Sequence, residues 1–371
     1  MTLAVNLAQS GSNNVTFRNR LINGGMVIDQ RNAGASVSIG NSPGTFTVDR
    51  FKAENNTDGT ATAQQSSTAP TGFKNSLLFT VGTADSSLSS TQYLFVEQRV
   101  EGLNVADLNW GATAASAGQT ASPVTVSFWA RASVTGTYGA TIVNNGFDRT
   151  YPFTYTISSA NTWTYITTTI PGDTSGTWLT TNGVGLIIRW GFGVGTAYSG
   201  TAGAWAGAGY LSATGAVNMM ATSGATFYIT GVQLEAGTTA SPFEYRQYGT
   251  ELALCQRYYE KSFAQGTAPA EGVDNNFQTT GAGYATNGLY IPNVGFKVTK
   301  RTTATVTVFR PNVVATNGNF AVYSSALGGW NSSTTTVNSA NDTTFSINLT
   351  SNINVDKGYA ILGAWTASAE L

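Results

Sequence analysis

The sequence contains no histidine at all. Ser-His-Asp and Cys-His mechanisms are therefore excluded, because each needs an imidazole to take the proton from the nucleophile. Nor is there a histidine cluster or a CxxC pair to point to zinc. The one cysteine, Cys255, leaves no partner for an intrachain disulfide. It sits between Leu254 and Gln256 on a predicted helix and reads as a small buried apolar residue. Charge is scarce too: 10% of residues, against about 25% in an average soluble domain. Net charge is −1 and the 18 basic residues are scattered. Without a basic cluster to release counterions, nucleic-acid binding is not expected. No run of roughly 18 apolar residues offers a membrane helix. The opening stretch MTLAVNLAQSGSNNVTF has no basic region and no long apolar core, so no secretion signal is expected. No GxxxxGK[ST] phosphate loop occurs, and GFGVG at 191–195 lacks the βαβ context a dinucleotide site needs. No repeat of roughly 20–50 residues is visible, which argues against a long β-helix depolymerase.

What is present is glycine (42 residues) among Thr, Ser, Asn and Ala, with 41% hydrophobic residues. That is enough apolar material for a core, and the many short apolar runs between small polar residues indicate an all-β protein. At 371 residues, two domains are expected. Strands are read at 46–52, 61–66, 76–81, 92–100, 124–132, 138–144, 163–170 and 184–190, with one helical turn at 103–108. TFYITGVQLEA, from Thr226, alternates as a closing strand, with Gly231 as a bulge, and Pro242 lies beyond its end. From Thr250 to Ser262 the period turns helical, with Leu252, Cys255 and Tyr259 on one stripe. Residues 264–371 read as five or more further strands, with Asn-Gly turns at 287–288 and 317–318. Their number suits a small β-sandwich. The reading is thus an N-terminal arm at 1–17, a β-domain at 18–246, a helical joint at 247–263 and a second β-domain at 264–371.

Glycoside hydrolysis needs only two carboxylates. Glu97, Glu101, Asp148, Asp173, Glu235 and Glu244 lie near aromatics, but no spacing singles out a pair. Structural pairing or solvation is expected for each, and no catalytic residue is assigned. Asp49, beside Arg50 and downstream of Gln30-Arg31, is expected in a structural salt bridge, since buried charge must be paired. For binding, the long Gly/Ala-rich segment 191–225 carries isolated aromatics. Sugar recognition uses an exposed ring face bordered by polar groups. On that pattern Tyr198, Trp205 and Tyr210 are candidate sugar-binding residues, with Arg189 and Trp190 before them and Asn145 and Asp148 in the nearby NNGFDR stretch. Trp330 and Asn331 in the C-terminal region are the alternative.

Three stretches also carry a resemblance: RLINGGMVIDQRN, VTVSFWARAS and FYITGVQLEAGTTASPFEYRQYGTELALCQRYYEKS. They resemble segments of bacteriophage tail fibres and related virion proteins, and the last one begins like the final strand of jelly-roll carbohydrate-binding modules. The resemblance implies a jelly-roll β-sandwich over 18–246 whose first strand lies in 18–36. It implies a homotrimer, with Leu252, Cys255 and Tyr259 near its axis, and an N-terminal arm docked to other tail proteins. It implies a virion protein made in the host cytoplasm, binding a host surface glycan without catalysis. The rivals are a purely structural tail, baseplate or head decoration protein and a glycan hydrolase. Such modules often hold calcium with an acid where the strand reads Phe-Tyr-Ile-Asp; Thr230 stands there instead, so no ion or cofactor is expected.

Overall fold

The structure is a computed structural model describing residues 17–273, 277–311, 318–325, 327–355 and 357–371. The expected arm at 1–17 lies, apart from Phe17, outside the described residues. The chain is nearly all β, and its first domain is a sandwich of two six-stranded antiparallel sheets. One sheet runs, in spatial order, β1 (Val37–Ser38), β4 (Ala61–Ser66), β5 (Ser76–Val81), β14 (Thr226–Ala236), β7 (Val124–Ala132) and β10 (Thr164–Ile170). The other runs β2 (Thr45–Phe46), β3 (Lys52–Asn55), β6 (Tyr93–Glu101), β11 (Val184–Val194), β8 (Gly136–Val143) and β9 (Thr150–Ile157). Strands far apart in sequence lie side by side, as a jelly roll requires.

The period-2 alternation of the sequence explains the inner faces. Val124, Val126, Phe128, Ala130 and Ala132 of β7 all point into the core. On β14, Phe227 and Ile229 point inward, and then Val232 and Leu234. The change of phase is the expected bulge: one extra residue enters the β14–β7 pairing between Thr230 and Gln233. Gly231 takes φ +62 there, against the Phe73 ring, which a Cβ would meet at 2.6 Å. Between the sheets, Phe79, Phe192 and Phe227 form a run with ring centroids 4.8 and 4.6 Å apart.

Three expectations are corrected. Residues 18–36 form no strand. Their backbone is drawn instead to the side chains and bulge of the closing segment, as described below. The strand expected at 46–52 is two strands separated by a turn. Thr47 N–H bonds Phe51 C=O and Arg50 takes φ 72, which aims Asp49 at Gln30. The helix expected at 250–262 is α2 (Tyr248–Gln256), after a short α1 (Ala112–Ser116). It stops because Tyr259–Lys261 form strand β15, paired with the last strand of the chain. The turn expected at 103–108 is present as two 3-10 turns, Gly102–Asn104 and Ala106–Leu108. The segment 195–225 is laid onto the first domain. It contributes a two-residue parallel pair, β12 (Ser199–Gly200) with β13 (Ser212–Ala213), and buries Met219 and Met220 completely.

The second domain is a smaller sandwich. Its spine is β23 (Gly358–Ser368), flanked by β15 and β16 (Phe277–Ala282) on one side and β18 (Thr305–Phe309) and β19 (Phe320–Ser324) on the other. β20 (Gly329–Ser333) pairs with β19. Facing this sheet is a three-stranded one, β17 (Leu289–Gly295), β22 (Thr344–Leu349) and β21 (Thr335–Ala340). Phe320, Phe345, Ile347, Leu349 and Trp365 fill the space between. Asn287 takes φ 57 in a tight turn, but that turn leads from one sheet to the other and closes no hairpin between β16 and β17. Asn317 of the other expected turn lies outside the described residues.

Candidate functional site

The first-domain residues proposed from sequence fall into two groups. Trp190 is fully buried and faces the intersheet core, with ring centroids 6.5 Å from Phe51 and 5.8 Å from Phe128. It cannot meet a ligand. Its neighbour Arg189 faces the opposite side of the sheet, where Nε is 2.7 Å from Glu97 Oε2 and both residues are buried. The guanidinium lies between the rings of Phe95 (5.2 Å) and Phe147 (5.0 Å). Burial pushes the Glu97 carboxyl up, but Arg189, Arg99 and Lys52 outweigh it and hold the pKa at about 2. Arg189 is thus committed to an ion pair.

Trp205 belongs to a cluster with Trp110 and Trp178, all edge-to-face at 4.7 to 5.6 Å, and its indole N–H donates to Pro171 C=O. Tyr198 packs edge-on against Tyr93 at 5.8 Å, and Tyr210 is half-buried beside Gly200. Asn145 and Asp148 are exposed on the 144–149 turn. Asp148 Oδ1 accepts a bond from Asn144 Nδ2. Tyr198 connects through Tyr93 and Phe95 to Arg189 and Phe147, while Trp205 sits in the tryptophan cluster beside Arg149.

The carboxylates weighed for hydrolysis are mostly engaged in internal contacts. Asp173 takes both Nε and Nη2 of Arg149, at 2.8 and 2.7 Å. Glu101 takes Arg257 (3.0 and 2.7 Å) and the Tyr258 hydroxyl (2.8 Å). Glu235 accepts from Gln233 and Ser241. Glu244 accepts three consecutive backbone N–H groups, those of Phe17, Arg18 and Asn19, at 2.9 to 3.1 Å. Burial raises its pKa, but these donors and Arg246 outweigh that and hold it below the ordinary carboxylate range.

Glu244 is part of a clasp that explains the quoted motifs. Asn19 bridges the bulge by donating to Val232 C=O and accepting from Leu234 N–H. Gly24 C=O accepts from Val232 N–H, Arg246 reaches Leu21 C=O and Asn19 C=O, and Glu251 accepts Asn23 N–H. Asp49 is held by Gln30 and lies 3.9 Å from Arg31, as the expected structural pairing. Burial pushes its carboxyl up in spite of those partners. Gln30 then donates to Tyr259 C=O, Arg31 stacks between Phe46 and Tyr259, and both Arg31 and Arg50 pair with Glu370. The two domains are therefore bolted together through charged and aromatic side chains. Cys255 and Tyr259, expected near a threefold axis, are already buried within one chain, Cys255 against Ile22, Ile28 and Tyr258. Thr230, at the position weighed for calcium, is buried and donates to Asn75 C=O.

One open aromatic surface lies on the second domain. Tyr323 on β19 and Trp330 on β20 are cross-strand neighbours, 41% and 44% exposed, with ring centroids 5.6 Å apart and planes 46° apart. Beside them lies a shallow cleft of about 480 Å³ whose floor and rim include Thr280, Ser324, Ser325, Gly358 and Ala360. The buried Ser324 hydroxyl has no hydrogen-bond partner among the described residues. Two adjacent exposed rings over small and hydroxyl-bearing residues can pack the C–H face of a sugar and bond its hydroxyls. Trp330 was weighed from sequence; Tyr323 was not. The hairpin signal between them, Gly328-Gly329 with Gly328 at φ 66, could have found the pair. A second cleft of about 360 Å³ opens between the edges of β16 and β17 and is lined by Phe277, Ile291, Val294, Lys297 and Trp365.

No family model and no curated protein matches the chain. Among solved structures it is similar to the enzymatically active domain of bacteriophage CBA120 tailspike protein 4, at 12% identity and TM-score 0.31, over 59% of this chain and 21% of that one. It is also similar to TmCBM61 in complex with β-1,4-galactotriose, at 12% identity and TM-score 0.29, over 59% of this chain and 99% of that one. A third is the N-terminal cellulose-binding domain of Cellulomonas fimi β-1,4-glucanase C, at 15% identity and TM-score 0.25, over 51% and 90%. The chain thus spans about a fifth of the tailspike domain's length. The two-sheet architecture described above rests on this chain's own strand pairing.

Proposed function

We propose that this chain is a bacteriophage virion protein, a tail fibre or receptor-binding component that adheres to host surface polysaccharide without cleaving it. The observation that carries the reading is the exposed Tyr323–Trp330 ring pair beside a cleft that Tyr323 lines. The described residues lining that cleft include no carboxylate, which favours binding over hydrolysis. The low charge of the chain suits a virion surface and a homotrimer interface. Several copies would turn weak single sites into firm adhesion. The bolted joint supports the same reading, since a rigid body presents the cleft in a fixed direction.

The test is binding of fluorescently labelled protein to bacterial host cells, with light scattering for its mass. A trimer that binds, loses binding when surface polysaccharide is stripped and loses it again in Trp330→Ala is the expected result. A folded oligomer that binds no cell would overturn the adhesin in favour of a structural virion component. Release of reducing ends from the polysaccharide would establish a hydrolase instead.

A further inference from the structure

We infer that the Tyr323–Trp330 cleft takes an internal stretch of a single, uncharged, twisted polysaccharide chain running across the strands, and not a chain end or a flat crystalline face. This rests on the glycan-binding reading above and specifies its ligand. The register places Thr280, Ala360, Tyr323 and Trp330 in one row, on four neighbouring strands and one sheet face. Three strand spacings of about 4.8 Å make that row roughly 14 Å long, and each spacing is close to the length of one sugar unit along a chain. The row therefore offers consecutive subsites: two rings, then a bare floor at Ala360, then a hydroxyl at Thr280.

Both ends of the row are open. β20 lies at one edge of the sheet and β16 at the other at this level, with no further strand beside either among the described residues. No neighbouring strand among the described residues walls off either end, so recognition needs no terminus. The 46° angle between the rings excludes a planar face, which could lie flat on only one of them. A chain whose successive sugars are rotated can meet both. Hydroxyls for it come from the exposed Thr280 and Ser325, and the described residues lining the cleft bring no charge.

The test is calorimetric titration of the whole chain with soluble galactan, glucan and mannan, with the trisaccharide and monosaccharide of each, and with polygalacturonate. At least one neutral polymer should bind. Its trisaccharide should bind nearly as well per site and its monosaccharide at least about tenfold more weakly. Chemical reduction of the polymer's ends and added salt should leave affinity unchanged. Tyr323→Ala and Trp330→Ala should each weaken binding about tenfold. Both rings are exposed, so both variants should fold. Equal affinity for the monosaccharide, loss of binding on end reduction, preference for polygalacturonate, or retention on microcrystalline cellulose would overturn this inference while leaving glycan binding intact. Failure of every glycan with folded protein would overturn both.

Discussion

Replacing Glu97 with Gln keeps the side chain's shape and removes its charge, which isolates what the buried ion pair does. Glu97 is 1% exposed and Arg189 4%, so water cannot replace either partner. Burial alone would raise the carboxyl's pKa; Arg189, Arg99 and Lys52 instead depress it from 4.5 to about 2. That difference corresponds to about 3 kcal/mol of folding stability. The folded value lies below the unfolded one, so the contribution is complete above pH 4.5 and is lost as pH falls toward about 2. Glu97→Gln should therefore cost about 3 kcal/mol at pH 7, within the range for breaking one half of a buried pair. Urea unfolding of both proteins at pH 7, 4 and 3 measures it. The gap should narrow steadily below pH 4.5, because protons then bind the unfolded wild-type carboxylate before the folded one. The companion Glu97→Leu with Arg189→Met removes both halves of the buried pair, leaving Lys52 with Glu54 and Arg99 partly exposed, and should stay within about 2 kcal/mol of wild type. A neutral Glu97→Gln, or a gap independent of pH, would refute the argument. It would also reopen a ligand-binding role for Arg189.

Three further outcomes follow from the same contacts. Glu101→Ala strips the acceptor from the Tyr258 hydroxyl and from Arg257, which is partly solvated. It should cost about 2 kcal/mol and make residues 247–263 more susceptible to limited proteolysis, scored by gel. Gly24→Ala places a Cβ 2.1 Å from Val232 C=O, inside the clasp, and should destabilise by about 2 kcal/mol or more in a thermal melt. Burial depresses the Lys261 ammonium from 10.5 to about 8, although Asp49 and Asp29 oppose it. Stability from this group is present above the unfolded value and lost as pH falls through about 8, so Lys261→Met should gain on wild type as pH drops from 10.5 to 8. Melts across that range would show no trend if the ammonium were solvated.

How much of this was legible before folding depends on which signal a residue answers to. β7 and β14 could be read because one face of each is apolar and alternation survives, and the Gly231 bulge could be read because only a phase break reconciles Phe227 with Leu234. β11 could not be resolved into faces. Ten of its eleven residues are buried, so period 2 vanishes, and nothing in VGLIIRW says that Trp190 points to the core while Arg189 points to Glu97. The helix end was misplaced because Tyr258 and Tyr259 fit the helical stripe, yet both are claimed by long-range partners: Glu101 for the one, Arg31 and β23 for the other. The resemblance puts a first strand in residues 18–36, and Leu21, Met26 and Ile28 there are core residues. What decides their backbone is side-chain hydrogen bonding: from Asn19 to Val232 and from Asn23 N–H to Glu251, each across more than two hundred residues, and locally from Asn23 to Ile28 C=O.

The same contacts explain why a recognisable motif said little about a ligand. RLINGGM and the stretch from Gln233 to Glu251 exchange backbone and side-chain hydrogen bonds with each other, closing the first sandwich. Gln30, Arg31, Asp49 and Arg50 then fasten that sandwich to Tyr259 and Glu370 of the second domain. Each of those side chains is already bonded within the chain, so a ligand would have to break an internal bond to engage it, although Gln30 Oε1 and Arg50 Nε are without a hydrogen-bond partner among the described residues. Tyr323, Trp330 and Ser324 stand in the opposite position. Their ring faces are exposed, and no partner for the Ser324 hydroxyl is found among the described residues; they lie on strands that touch none of the clasp. Substitution there can change what is bound without loosening the joint. The segments that identify this architecture and the residues that would choose its sugar are thus physically separate, which is why reading the first does not disclose the second.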